Sequence, residues 1–178
     1  MTTPTPPHPH RAPASPPLTH IAPDGRSRMV DVGHKPVTAR SATAEGFVRI
    51  SAELEAKIRT NTLEKGSLLE VARLAGVMAA KRTDELIPLC HGLPLDAVDI
   101  DAAVEAGRVR ITATARTQAR TGVEMEALTA VAVACLTVID MGKAVDKQMV
   151  IDGVRLLEKH GGRGGSFVAG PAHPGTRE

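Results

Sequence analysis

Tryptophan and tyrosine are absent from this 178-residue chain, and phenylalanine occurs only twice. That excludes an aromatic platform on which successive bases or sugars stack, the usual way to hold single-stranded nucleic acid. The core has to be assembled from Val, Leu, Ile, Ala and Met. Charge of one sign is lacking too: the net charge is +2, which argues against a nucleic-acid or membrane-surface protein. Two cysteines, Cys90 and Cys135, make no disulfide framework, and Pro and His stand where a secretory leader would carry its apolar run. These features point to a reduced, cytoplasmic compartment. No uncharged apolar run reaches the length of a membrane span.

What is present suggests one domain with ragged ends. Residues 1–17 hold seven of the thirteen prolines and almost no apolar bulk, so they read as a disordered tail in which His8 and His10 are solvated. The domain proper is expected over 18–160, and a flexible glycine-rich tail over 161–178. After an irregular arm over 18–37, residues 38–50 alternate as a strand, with Val48 and Ile50 on the inner face. Ser51 caps a short helix over 51–61, and a second helix covers 66–83. The prolines in 86–95 argue against a central strand and for a rigid, buried connection. Residues 96–104 and 109–118 form a hairpin, and 149–157 a last strand. This order predicts an α+β fold, an antiparallel sheet with helices on one face.

The segment 121–145 organises the rest. Thr121 and Glu124 fit a capping box, and from Ala127 to Ile139 only Thr129 and Thr137 are polar, so this helix belongs inside a core. Near its end, Asp140 and Lys143 are three apart on one face. They serve either as a proton-exchanging pair or as an ordinary ion pair at a helix terminus. Cys90-His91 is half a zinc site with no second ligand pair at suitable spacing. His91 is then either a ligand-binding or acid/base group, or a histidine satisfied by backbone. Lys65, Lys81, Lys143, Lys147 and Lys159, if several are gathered by the fold, would hold a polyphosphate. The glycines of 161–165 lack the Lys-Ser/Thr ending and the helix of a P-loop.

Several segments together resemble the cyclic pyranopterin monophosphate synthase family, protein C of molybdenum cofactor biosynthesis. They are MVDV at 29–32 with Lys35, AAKRT at 79–83, LIPLCH at 86–91, TGVEMEALT at 121–129, Asp140-Met141 with KAV at 143–145, and VRLL at 154–157. The likeness runs from about residue 18 to 167. It implies a ferredoxin-like α+β fold, a homohexamer built as a trimer of dimers, and active sites at the dimer interface. The implied substrate is the nucleotide derivative 3′,8-cyclo-7,8-dihydroguanosine 5′-triphosphate, converted to cyclic pyranopterin monophosphate with loss of pyrophosphate. No cofactor or metal is implied.

By the same resemblance, Asp140 and Lys143 match the catalytic aspartate and lysine. Leu89, Cys90, His91, Glu124, Met125 and Glu126 match substrate-binding positions, and Lys65, Lys81, Lys159 and Arg40 match basic positions lining the site. The chain departs from the family pattern at Gly92 and Gly142, where proline and a bulkier residue are usual, and at Arg163, Gly164 and Ser166 in the tail. A glycine at 142 is expected to loosen the turn that aims Lys143. The competing reading is a nucleotide-binding regulatory module without turnover, which retention of both Asp140 and Lys143 opposes.

Overall fold

Alternation along the first strand sets the architecture. In β1 (Thr38–Arg49) Ala42, Ala44, Gly46 and Val48 turn inward and are buried, while Thr43, Glu45 and Phe47 face outward. The computed structural model describes residues 24–171, so the predicted tail over 1–17, with His8 and His10, and residues beyond 171 lie outside the described residues. β1 is followed by α1 (Ala52–Arg59), α2 (Leu68–Ala80), α3 (Thr83–Leu86), β2 (Ala97–Glu105), β3 (Arg108–Ala119), α4 (Glu124–Gly142), β4 (Val150–His160) and β5 (Phe167–Val168). The strands form one antiparallel sheet in the order β2-β3-β1-β4-β5. Its first four strands have the split β-α-β-β-α-β arrangement of ferredoxin-like domains. The predicted α+β class, with helices on one face, holds.

The scarcity of aromatics is answered by close approach. α4 lies across the inner face of β1 and β3, burying Ala127, Val131, Ala134 and Val138 against Ala44, Ile111 and Ala113. At Gly46 the approach is closest: a Cβ there would stand 2.6 Å from Cγ1 of Val131. α2 meets α4 through small residues, with Gly76 against the Ala130 carbonyl. Larger side chains fill the remainder; full burial of Leu54 and Leu68 contributes roughly 1.5–3 kcal/mol each. α4 is long and apolar enough to cross a membrane, but 56% of it is buried inside the fold, where it serves as the core helix. Cys135 sits there, and burial pushes its thiol up to about 11.

The outer sheet face is polar. The Thr43 hydroxyl lies 3.1 Å from that of Thr114 and donates to Glu158, and Arg155 pairs with Glu45 at 2.8 Å.

Three local expectations change. The capping box does not form: the residue before α4 is Val123, which is fully buried, and no side chain caps the helix. Pulling Val123 into the core leaves the Glu124 carboxylate folded over Gly122 instead. The 86–95 connection is half-exposed rather than buried. It is held by hydrogen bonds: Cys90 N–H to the Ile87 carbonyl at 3.0 Å, and Thr117 Oγ1 to the Pro94 carbonyl at 2.5 Å. Finally, positive φ at Gly161, Gly162 and Gly165 reverses the chain, so that β5 pairs with the end of β4, a strand the sequence reading did not anticipate.

Candidate active site

Apart from Lys81, the residues singled out by sequence separate into two groups at opposite ends of α4. Glu124 and Asp140 are sixteen residues apart in one helix, about 24 Å along its axis at the α-helical rise.

At the first end, the turn opening α4 faces the connection after α3 across a cavity of about 420 Å³. Leu89, Cys90, His91, Glu124, Met125 and Glu126 all line it, with Lys35 entering from the arm before β1. His91 Nε2 donates to the Val30 carbonyl at 2.9 Å. A carbonyl only accepts, so Nε2 carries the hydrogen in this contact. Of the two alternatives for His91, the backbone partner is present, and the ring also lines the cavity.

The carboxyls here are unequally treated. Lys159 stands 3.6 Å from Glu124. Glu126 is 4% exposed. Burial pushes its carboxyl up to about 7; its own backbone N–H opposes this, and the charges of Glu124 and Asp84 add to it. Burial, then Glu126 and Asp84, likewise raise the Cys90 thiol, which makes it a poor nucleophile. At Gly92 a Cβ would stand 2.7 Å from the Asp84 carboxylate.

A second cavity, of about 460 Å³, shares Lys35 and Thr121 with the first. Arg40, Arg120 and Arg163 also line it, and no Asp or Glu does. Arg40 donates to the Arg120 carbonyl at 3.3 Å, and its guanidinium lies over Gly162, where a side chain would collide. Among the described residues, Arg40 Nε and Thr38 Oγ1 are buried without a partner. Four cations and unsatisfied donors make this a cradle for an anion.

At the other end of α4, Lys143 donates to one Asp140 carboxylate oxygen at 2.6 Å. Lys65 donates to the other at 3.3 Å and to the Asp140 backbone carbonyl at 2.9 Å. These two ammonium groups, Lys143 first, hold the Asp140 carboxyl below its ordinary range. Asp140 and Lys143 are more than half exposed, at 60% and 59%. Where the sequence suggests that Gly142 loosens this turn, the fold packs it closely. Gly142 is buried, and a Cβ on it would lie 2.7 Å from Leu54 Cδ2 and 3.2 Å from Met149 Sδ. The glycine lets the helix end pack down on α1. Asp146 then anchors the following turn, accepting from the Ser51 and Gln148 amides at 2.7 and 2.9 Å.

Lys81, which caps the C-terminus of α2, is exposed and lines neither of the two cavities. The sequence reading had left Lys35, Arg120 and Arg163 off the candidate site. Lys35 and Arg163 carried a signal, since one sat within a matching segment and the other replaced a family lysine. Arg120, outside any quoted motif, carried none. Among the described residues, no three His, Cys, Asp or Glu side chains converge as a metal-binding group.

Comparison with known proteins gives a consistent answer. The model of the MoaC family matches residues 29–162. A protein of Methylobacterium sp. (strain 4-46) named cyclic pyranopterin monophosphate synthase is 55% identical over 157 residues, covering 87% of this chain and 98% of the relative. Proteins of the same name from Novosphingobium aromaticivorans and Corynebacterium efficiens are each 55% identical, over 152 and 150 residues. Those alignments cover 85% and 84% of this chain and 97% of each relative.

Proposed function

The chain belongs to the MoaC family, and we infer from this that it is an enzyme of molybdenum cofactor biosynthesis that forms cyclic pyranopterin monophosphate. The observation that carries the reading is identity spread over nearly the whole chain, with two long matching segments, at 86–91 and 121–129, forming opposite walls of one cavity. The substrate in this reading is 3′,8-cyclo-7,8-dihydroguanosine 5′-triphosphate, and pyrophosphate leaves.

In this reading each part has its own work. The purine-derived ring enters the cavity between His91 and Glu126. The triphosphate extends past Lys35 towards Arg40, Arg120 and Arg163, whose charges offset those of the phosphates as the cyclic phosphate closes. Opening and rebuilding the ring needs several proton transfers. Asp140, held as a carboxylate by two ammonium groups, accepts protons; Lys143 and Lys65 donate them.

One chain does not bring these parts together, because Asp140 lies at the far end of α4 from Glu124. We therefore place the site between two copies, the Asp140–Lys143–Lys65 end of one closing over the cavity of the other, within a homohexamer arranged as a trimer of dimers. Exposed apolar side chains support such assembly: Val71, Leu74 and Met78 on α2 and Leu136 on α4 are between 39% and 61% exposed. Two free cysteines fit a cytoplasmic location.

The deciding experiment supplies purified protein with the cyclised triphosphate and follows pyrophosphate and the pterin product, beside Lys143→Ala. Product from wild type and none from a folded, assembled variant is expected. Tight binding without product from the wild type would instead identify a regulatory module.

A further inference from the structure

Between β4 and β5 the chain turns through Gly161-Gly162-Arg163-Gly164-Gly165, four glycines around one arginine. The turn is pressed against β1: a Cβ on Gly161 would run into the Ala39 carbonyl, and one on Gly162 into the Arg40 guanidinium. Its corner is closed by the Gly165 N–H, which donates to the Gly162 carbonyl at 3.1 Å. Arg163 stands at that corner and lines the anion cradle with Lys35, Arg40 and Arg120. Glycines bring no side chains to pack and lose the most freedom on ordering. The aim of Arg163 therefore has to be set by whatever holds the ends of the turn.

Those ends meet on the opposite face of the sheet from the cradle. Alternation along β4 sends Lys159 inward to Glu124, and Glu158 and His160 outward beside their β1 partners Thr43 and Ser41. There Nδ1 of His160 lies 3.0 Å from Oγ of Ser166, the last residue before β5. Nε2 of the same ring stands 3.5 Å from one carboxylate oxygen of Glu158, whose other oxygen accepts from the Thr43 hydroxyl at 3.2 Å. Thr43 in turn meets Thr114 of β3 at 3.1 Å. The ring is thus held from within the sheet and reaches the far end of the turn. Its Nδ1 accepts from the hydroxyl when neutral and donates to it when charged, so the contact exists in either state. Beyond Ser166 the chain is tied down again, the Ala169 N–H donating to the Leu157 carbonyl at 2.7 Å and Arg155 to the Gly170 carbonyl at 3.1 Å.

We propose that Glu158, His160 and Ser166 form a clasp that positions Arg163 for phosphate capture without touching the substrate. This deepens the reading under Proposed function and rests on it for the triphosphate. The clasp raises the fraction of molecules in which Arg163 faces the cradle, and apparent affinity for a polyphosphate scales with that fraction.

Calorimetric binding of inorganic tripolyphosphate to the assembled full-length protein tests this. Arg163→Ala should bind roughly 10–100-fold more weakly than wild type, the worth of a hydrogen bond to a charged group. Ser166→Ala and His160→Leu should each weaken binding by about fivefold, the worth of one ordinary hydrogen bond. Ser166→Thr keeps the hydroxyl and should restore wild-type affinity. In the Arg163→Ala background, Ser166→Ala should have no further effect, because the clasp acts only through the arginine. A Ser166→Ala variant that binds as wild type, a Thr variant as weak as Ala, or independent losses that multiply in the double variant would each overturn the clasp. So would a wild type that takes up no tripolyphosphate. Pterin product from a protein whose Ser166→Ala variant binds normally would remove the clasp and keep the synthase reading. The expected pattern of binding in a protein that forms no product would do the reverse.

Discussion

Lys65 grips Asp140 twice, through its backbone carbonyl at 2.9 Å and its carboxylate at 3.3 Å, from a loop seventy-five residues away in sequence. Lys143 takes the second carboxylate oxygen at 2.6 Å. The carboxylate is thus fixed between two cations, one local and one brought by the fold. Lys65→Met keeps the aliphatic stem and removes the charge. It should lower kcat/KM by roughly 10²–10⁴-fold, the usual contribution of a positioned proton-transfer group. Steady-state kinetics beside a sedimentation profile checks this, and a variant that keeps wild-type turnover would remove Lys65 from the site.

A site divided between two copies should be repairable by mixing. Lys143→Ala and His91→Ala should each be inactive alone. Co-refolded together, they would form mixed dimers in which one of two sites is intact, restoring about a quarter of wild-type activity for random pairing in a two-fold interface. Activity no higher than in either parent would show that both ends of α4 act within one chain.

Gly142→Ala sets two effects against each other. Alanine favours a helix interior over glycine by about 1 kcal/mol, but overpacking a filled core costs about 1–3 kcal/mol. The added methyl would meet Leu54, which is fully buried, so packing should win. A lower urea midpoint is expected, with a loss of turnover as the turn carrying Lys143 is displaced. A midpoint equal to or above wild type would mean that Leu54 and Met149 yield freely.

Glu126 links stability to pH in a direction that can be worked out. Its folded value, about 7, lies above the ordinary 4.5. The fold therefore prefers the protonated form, and its contribution is complete below about 4.5 and lost as pH rises through 7. Wild type should weaken over that interval by on the order of 2–3 kcal/mol. Glu126→Gln should show a flatter profile and exceed wild type above neutrality. Urea unfolding at fixed protein concentration across this range measures the difference, and parallel profiles would contradict the assignment.

Much of the lining of the candidate cavity was legible before any coordinates. His91 and Glu126 sit in segments whose order of residues is long and specific, and the cavity they share needed only the fold to close it. The loss of the capping box was not legible. A hydroxyl and a carboxylate three apart satisfy the pattern, but whether they cap depends on where Val123 goes, and the core takes it. Gly142 needed the fold as well, since a local rule makes glycine loose whereas Leu54 and Met149 pack closely against it.

The sequence by itself determined the fold class, the family and the chemical character of the site. Period-two and helical alternation are local properties, and the motifs at 86–91 and 121–129 are read from residue order alone. Tertiary structure alone decided which charges meet. Lys159 reaches Glu124 and not Glu126, and Lys65 reaches Asp140 across the domain. Whether a carboxyl keeps its proton depends on burial and on counter-ions within a few ångströms, and both are created by the packing of elements far apart in the chain.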